Sequence, residues 1–163
     1  MTGAVLSIGS NLGDRLAALQ LAADAHRPWL VGISPVFETA PWGPVPQDDY
    51  LNAVLLVDDP AATPRDWLDR ALAVEQVAGR EREMRWGPRT LDVDVIAVDD
   101  VISAEAELTL PHPRAAERAF VLVPWSVLQP DARLGGVAIA TLVATLPPDD
   151  VSGVRARPDL MVS

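Results

Sequence analysis

Cysteine and lysine are both absent from the 163-residue sequence. Without cysteine the chain forms no disulfide, no thiolate zinc site and no cysteine nucleophile, so any metal must be bound by oxygen or histidine. Without lysine all 13 basic residues are arginine, which excludes Walker-type phosphate loops and Schiff-base chemistry. Arginine still binds phosphate oxygens through paired hydrogen bonds, so phosphate chemistry remains open.

Positive charge and long apolar runs are also scarce. The net charge of -10 argues against a nucleic-acid partner, which needs broad basic surfaces, but allows a small anionic ligand where arginines cluster. No apolar run approaches the roughly 20 residues that cross a bilayer, and no signal-peptide pattern opens the chain. We therefore expect a cytoplasmic monomer that binds small molecules and no membrane.

The apolar pattern predicts one α+β domain over residues 1–163 with a largely antiparallel sheet. The segments GAVLSIG, LVGISPVFET and YLNAVLLVDD are typical strands, and a further strand begins near Leu91. Cap-type residues in SNLGD precede a helical stripe that starts at Leu12, and a second helix runs from the cap Thr63 to Gly79. The segment LTLPHPRAAERAFVLVPWSVL predicts a strand, a turn and a helix, VAIATLVATLP predicts a last short helix, and the residues from about 149 show no assignable pattern.

Two aspartates one residue apart follow an arginine-rich stretch in RWGPRTLDVDVIAVDD. In a strand, Asp92 and Asp94 share a face, with Cα atoms roughly 7 Å apart. Ile96 and Val98 continue that face, while the opposite face carries Leu91, Val93, Val95 and Ala97. Two carboxylates without histidine or cysteine suit magnesium, but a strand face balanced by neighbouring arginines explains them equally well.

Four arginines lie within ten residues on a predicted loop: Arg80, Arg82, Arg85 and Arg89. A charge run of this kind is usually a solvated loop, here paired with Glu81 and Glu83. Its position directly before the aspartates favours a nucleotide-triphosphate site, because arginines bind phosphate oxygens and the carboxylates hold the bridging magnesium.

Several further residues invite either a structural or a functional interpretation. Glu75 interrupts an apolar helical stripe and so needs a polar partner or solvent. His112 is held between two prolines, with Arg118 six residues later. Tyr50 and Asn52 share a strand face, and with Phe120 they could bind a flat heterocycle by stacking and edge hydrogen bonds or simply pack in the core.

Four motifs together resemble the 6-hydroxymethyl-7,8-dihydropterin pyrophosphokinase family of folate biosynthesis. They are SIGSNLGD, FETAPWGPVPQDDYLNAV, RWGPRTLDVDV and LTLPHPRAAERAFVLVPW, in the family's order and approximate spacing, and the third is highly specific. The resemblance implies a ferredoxin-like α+β fold. It also implies transfer of pyrophosphate from MgATP to the pterin's hydroxymethyl group with release of AMP.

The resemblance also implies roles for individual residues. Asp92 and Asp94 would hold two magnesium ions, and Arg80, Arg82 and Arg89 would complete the catalytic set. ATP would be bound by Glu75, Arg85, Trp86, Val95, Thr109, His112 and Arg118. The pterin would stack between Tyr50 and Phe120, with Asn52 and Thr39 on its edge and Ala40 and Trp42 completing the pocket. Another magnesium-dependent phosphotransferase, or a non-catalytic nucleotide-binding module, remains the alternative.

Overall fold

A computed structural model describes residues 3–41, 43–79 and 90–163. Five α-helices and ten strands lie in these ranges. The helices are α1 (Arg15–Ala25), α2 (Pro64–Val77), α3 (Ala119–Leu128), α4 (Ile139–Thr145) and α5 (Pro148–Ser152). The strands are β1 (Gly3–Ser10), β2 (Leu30–Ile33), β3 (Phe37–Thr39), β4 (Tyr50–Asp58), β5 (Asp92–Val98), β6 (Ser103–Glu105), β7 (Leu108–Leu110), β8 (Arg133–Leu134), β9 (Val137–Ala138) and β10 (Arg155–Ala156).

The main sheet has six strands in the order β10-β3-β4-β1-β5, with β2 also paired to β4. Every ladder between these strands is antiparallel. If β2 and β3 are counted as one interrupted strand, the chain from β1 to β5 runs βαββαβ, which is the ferredoxin-like arrangement. The predicted α+β class and antiparallel sheet are confirmed.

Two apolar clusters pack against opposite faces of the sheet. The larger one joins α1 and α2 to the face that carries Leu6, Ala53 and Val95. The smaller one joins α3 and α4 to the other face at Val5, Val54 and Ile96. Within the residues described, no helix combines the length and apolar character that a bilayer crossing requires.

Helix starts follow the cap residues in the sequence. Thr63 and Asp66 form a capping box ahead of α2, with Pro64 in the first turn, as predicted. Helix α1 starts later than its apolar stripe suggested. Asp14 is its N-cap, so Leu12 lies outside the helix and is 49% exposed, because the side chain of Asp14 accepts from the Ala17 N–H and fixes the first turn there.

The segment LVGISPVFET forms two strands rather than the single one predicted. Pro35 has no N–H to donate to the ladder, so pairing stops between β2 and β3. Ser34 bridges the break: its N–H donates to the carbonyl of Val54 at 2.9 Å, and its hydroxyl accepts from the Val54 N–H at 2.8 Å.

A bulge in β5 makes part of the predicted face pattern wrong. Val5 pairs with Ala97 but Leu6 pairs with Val95, so Ile96 is an extra residue on β5. Ala97 therefore packs against the smaller cluster with α3 and α4, and Val98 is buried in the larger cluster with α1 and α2. The bulge lies after Asp94, so the two aspartates keep the shared face that their spacing predicted.

The C-terminal segment, for which the sequence showed no pattern, returns to the edge of the sheet. Strand β10 pairs with β3, placing Arg155 opposite Glu38. The carboxylate of Glu38 lies 2.6 Å from Arg15, 3.1 Å from Arg157 and 3.9 Å from Arg155. Beyond β10, Val162 is buried in the larger core. The segment is thus attached by backbone pairing, charge and apolar burial.

Glu38→Gln is expected to lower the free energy of unfolding at pH 7 by about 1–2 kcal/mol, because its charge-assisted hydrogen bonds are lost at a side chain only 15% exposed. The hydrogen bond from Arg15 is the main reason why the pKa of Glu38 lies below its ordinary value of 4.5. The stabilisation is therefore complete above pH 4.5 and is lost as the pH falls through the lower folded pKa.

Urea unfolding at several pH values measures this effect. The stability difference between wild type and Glu38→Gln should shrink steadily below pH 4.5. Glu107→Gln is the matched control, since the Arg65–Glu107 pair spans 2.9 Å on the exposed surface and should matter little. An equal effect of the two substitutions at every pH would contradict the prediction.

Candidate active site

The smaller apolar cluster, which packs α3 and α4 on the sheet, covers only part of that sheet face, and several of the predicted site residues lie on the rest. Residues opposite each other in an antiparallel ladder share a face. Asn52 is opposite Gly9, which is in turn opposite Asp92, and Thr39 is opposite Tyr50. The expectation that Tyr50 and Asn52 share a strand face is confirmed, and the ladder puts the aspartate pair on that same face.

Gly9 lies between Asn52 on β4 and Asp92 on β5, and because it has no side chain it leaves space between them. A Cβ atom at this position would lie 3.0 Å from Asn52 Oδ1 and 3.4 Å from Tyr50 Cδ1. Any other residue would push against both side chains. A glycine within a strand often marks such a close approach, and this is a site residue that the sequence interpretation missed.

The amide of Asn52 is held by a neighbouring strand. Its Nδ2 donates to Thr39 Oγ1 at 2.8 Å, and both residues are buried. Fixing the Nδ2 side of the amide presents Oδ1 above Gly9. A buried, oriented amide of this kind selects a ligand edge by hydrogen bonding.

The start of α3 brings a cation and an aromatic ring to the same area. Arg118 Nη1 lies 3.9 Å from Asp94 Oδ2, and the Arg118 guanidinium carbon lies 5.5 Å from the centre of the Phe120 ring. Burial lowers the pKa of Arg118, while Asp94 acts in the opposite direction. Arginine stays charged in proteins, so the positive charge of Arg118 lies between the Asp94 carboxylate and the Phe120 ring.

His112 lies beside β5 as a neutral imidazole. Its backbone N–H donates to the carbonyl of Ile96 at 2.8 Å, and its Nδ1 accepts from the Arg114 N–H at 3.2 Å. Burial lowers the pKa of His112 to about 4, helped by the positive charges of Arg118 and Arg114. With Nδ1 accepting, the ring proton resides on Nε2, which can donate to a ligand.

Glu75 is buried on the other side of β5, where it is only 3% exposed. Its Oε2 accepts from the backbone N–H of Val93 at 2.9 Å. Strand β5 ends the six-stranded sheet, so this N–H points away from β1 and needs another acceptor. The carboxylate on the apolar stripe therefore has a partner, and that partner lies between the two aspartates.

Not all predicted ATP residues lie on the aspartate face. The side chain of Val95 is buried in the larger core, on the same side of β5 as Glu75. Thr109 is half-buried on β7, where its hydroxyl donates to the carbonyl of Glu105 at 2.9 Å. The structure brings together Asp92, Asp94 and Arg118, with His112 alongside, but it leaves Glu75, Val95 and Thr109 around the edge of β5.

A pocket of about 380 Å³ opens beside Phe120. Thr39, Ala40 and Phe120 belong to both the pocket and the predicted pterin site. Its complete lining is Thr39, Ala40, Pro41, Ala119, Phe120, Asp149, Asp150, Gly153 and Val154. The volume lies in the range of small-molecule pockets.

A comparison with protein families identifies the family to which this chain belongs. Residues 5–130 match the family model described as 7,8-dihydro-6-hydroxymethylpterin-pyrophosphokinase (HPPK). The chain belongs to the HPPK family.

Curated relatives agree with the HPPK assignment. The 2-amino-4-hydroxy-6-hydroxymethyldihydropteridine pyrophosphokinase of Mycobacterium tuberculosis (strain ATCC 25618 / H37Rv) is 49% identical, covering 95% of this chain and 89% of that protein. The enzyme of the same name from Mycobacterium leprae is 50% identical over 95% of this chain and 88% of its own length. The one from Pseudomonas aeruginosa is 38% identical over 87% and 90%.

Solved structures support the HPPK fold at much lower sequence identity. The structure of Plasmodium falciparum HPPK-DHPS wild type with STZ-DHP aligns with a TM-score of 0.67 at 13% identity. The match covers 86% of this chain and 42% of that longer chain. Such a likeness speaks for the fold alone.

Six predicted HPPK site residues lie outside the described ranges. They are Arg80, Arg82, Arg85, Trp86, Arg89 and Trp42. Their roles stay predictions from the resemblance. The described predicted residues all fall within residues 5–130, whereas four residues of the pocket wall, Asp149, Asp150, Gly153 and Val154, lie beyond that match.

The sequence interpretation also missed Asn11, which supports the loop between β3 and β4. Its Nδ2 donates to Gln47 Oε1 at 2.7 Å and to the carbonyl of Asp48 at 2.9 Å. This loop contains Ala40, which is one of the predicted pterin residues. The only sequence signal was the position of Asn11 in SIGSNLGD, which equally suits a turn.

Proposed function

We propose that this protein transfers pyrophosphate from ATP to the hydroxymethyl group of 6-hydroxymethyl-7,8-dihydropterin. The main structural support is that Asn52, Gly9 and Asp92 lie side by side on the neighbouring strands β4, β1 and β5. It puts a set of residues suited to a flat heterocycle directly beside a carboxylate pair suited to phosphates and metal. Family membership and the names of the relatives support the same reaction.

The reaction joins the two substrates without any oxidant or covalent enzyme intermediate. The hydroxymethyl oxygen forms a bond to the β-phosphorus of ATP, the bond from that phosphorus to the oxygen bridging to the α-phosphate breaks, and AMP leaves. The hydroxyl proton is released with the product. Such a reaction depends mainly on positioning and charge stabilisation, and the neutral His112, with its pKa of about 4, is a donor rather than a strong base.

Asp92 and Asp94 fit a magnesium site. They present hard oxygen donors on one partly exposed face, and the Asp94 side chain is 41% exposed. Magnesium commonly takes one or two protein carboxylates plus water and phosphate oxygens, so this pair is sufficient for it. We propose two ions here. When bound, they would neutralise charge on the phosphate oxygens.

The described side chains have separable tasks in this proposal. Thr39 and Asn52 bind the pterin edge, Tyr50 and Phe120 stack on its ring, and Ala40 borders the pocket. Arg118, beside Asp94, binds a phosphate, and the Nε2–H of His112 donates to ATP. Glu75, Val95 and Thr109 surround the edge of β5, where the adenosine would lie. Arg80, Arg82, Arg85 and Arg89 would bind the phosphates, while Trp86 would help to enclose ATP and Trp42 the pterin.

Product analysis tests this assignment. Purified protein with MgATP and 6-hydroxymethyl-7,8-dihydropterin should form AMP and the pterin pyrophosphate in equal amounts, which nucleotide chromatography and phosphorus NMR measure. Omitting the pterin provides the control and should leave ATP intact. ADP as the product would instead indicate an ordinary phosphotransferase, and ATP binding without turnover of the pterin would indicate a binding module.

A further inference from the structure

The part of the chain beyond residue 130 borders the pocket that contains Thr39 and Phe120. Gly153 and Val154 lie on the side supplied by this segment, and Asp149 and Asp150 also line the pocket. Val154 is half-buried. The rest of the lining consists of Thr39, Ala40 and Pro41 at the end of β3, with Ala119 and Phe120 at the start of α3. The wall on the segment side thus adds apolar surface to a pocket that already contains an aromatic ring.

The position of this wall follows from how the segment is attached. Val154 directly precedes β10, and the pairing of Arg155 with Glu38 and of Ala156 with Phe37 aligns it with β3. Arg155 also lies 2.8 Å from Asp49 Oδ2, in the loop just before β4. Helix α5 contacts α3 on the other side. The wall is therefore attached to the two elements that carry Thr39 and Phe120.

The turn at Gly153 is held tightly by a backbone hydrogen bond within the segment. The Gly153 N–H donates to the carbonyl of Asp149 at 2.9 Å, and a Cβ on Gly153 would lie 3.1 Å from that same oxygen. A side chain at Gly153 would disturb this turn. Val154, next in the chain, is the side chain of the wall that can be changed without this conflict.

We propose that Val154 is a substrate-contacting residue of the pterin pocket, which packs against the substrate ring beside the end of β3. This inference rests on the proposed function, because it takes the pterin to be the ligand beside Thr39 and Phe120. It assigns a substrate contact to a segment outside the part of the chain that matches the family model. The occupant is the pterin, since the lining of the pocket includes three residues of its predicted site, Thr39, Ala40 and Phe120.

Cysteine labelling offers a direct test, because the wild-type chain has no cysteine. In Val154→Cys the single thiol should react with a maleimide, and the pterin with a non-transferring MgATP analogue should slow that reaction. At about ten times its dissociation constant, the ligand should slow labelling about tenfold, since only the ligand-free protein exposes the thiol. Val31→Cys is the matched control, on the 68% exposed side chain in β2, and its labelling rate should not change.

A substitution that fills the pocket with a larger side chain gives a second, independent test through the KM of each substrate. Val154→Trp should raise the KM for the pterin about tenfold or more and leave the KM for MgATP within twofold, with the melting temperature confirming that it folds. If wild type turns over the pterin but Val154→Cys is not protected, or Val154→Trp keeps its pterin KM, this inference is overturned and the proposed function stands. If wild type does not turn over the pterin at all, both are overturned.

Discussion

Asp94→Ala protein is expected to form essentially no pterin pyrophosphate, with kcat reduced about 10³-fold or more. Asp94 shares its sheet face with Asp92 and lies 3.9 Å from Arg118, so its removal takes away half of the proposed metal-binding pair. Metal ions contribute several kcal/mol to stabilising the transition-state charge of phosphoryl transfer, and about 4 kcal/mol corresponds to 10³-fold in rate.

The assay follows AMP formation under saturating MgATP and pterin. Because the Asp94 side chain is 41% exposed, its replacement should leave the melting temperature nearly unchanged, which separates lost chemistry from lost structure. Asp100→Ala is the matched control from the same sequence stretch, exposed beyond the end of β5, and should retain activity within twofold. Wild-type turnover by Asp94→Ala would refute the metal assignment.

Gly9→Ala is expected to reduce kcat/KM for the pterin by about 10–100-fold. The added methyl group would lie 3.0 Å from Asn52 Oδ1 and 3.4 Å from Tyr50 Cδ1, so both proposed pterin-binding side chains must move. Displacements of about an ångström in a site can cost 10²-fold. The free energy of unfolding should not fall by a comparable amount, since alanine loses less backbone entropy than glycine on folding.

Gly3→Ala is the control for this substitution. It lies on the same strand, and its Cβ would meet only the end of the Asp99 side chain at 3.2 Å and a backbone oxygen at 3.8 Å. Steady-state kinetics in both substrates should show a defect for Gly9→Ala and none for Gly3→Ala. An undiminished pterin kcat/KM in Gly9→Ala would mean that the space above Gly9 is not part of the pterin site.

Local features of the sequence predicted much of the fold. The apolar run YLNAVLLVDD identified β4, the two-residue spacing predicted the shared face of Tyr50 and Asn52, and the cap Thr63 with Pro64 marked the start of α2. These features depend on neighbours in the chain, so one sequence contains them. Asp92 and Asp94 were placed correctly for the same reason: the bulge that reverses Ala97 and Val98 begins only after them.

Other features depend on contacts between distant residues. The sequence showed that Glu75 needed a partner, but only the packing of α2 against β5 identifies the Val93 N–H as that partner. The bulge at Ile96 follows from how β1 and β5 align, and Glu38 became an anchor only once Arg15 and Arg157 met on it. Residue spacing has no information about such long-range geometry.

The sequence by itself determined the chemistry available to this protein: arginines without lysine, a carboxylate pair, one tyrosine, no thiol, and the motifs of the HPPK family. Only the tertiary structure decided that Asn52, Gly9 and Asp92 form one row and that residues near 154 close a pocket beside Phe120. The physical reason is range. Residue type and periodicity act within a few positions, whereas a site requires strands and segments far apart in the chain to pair in one register.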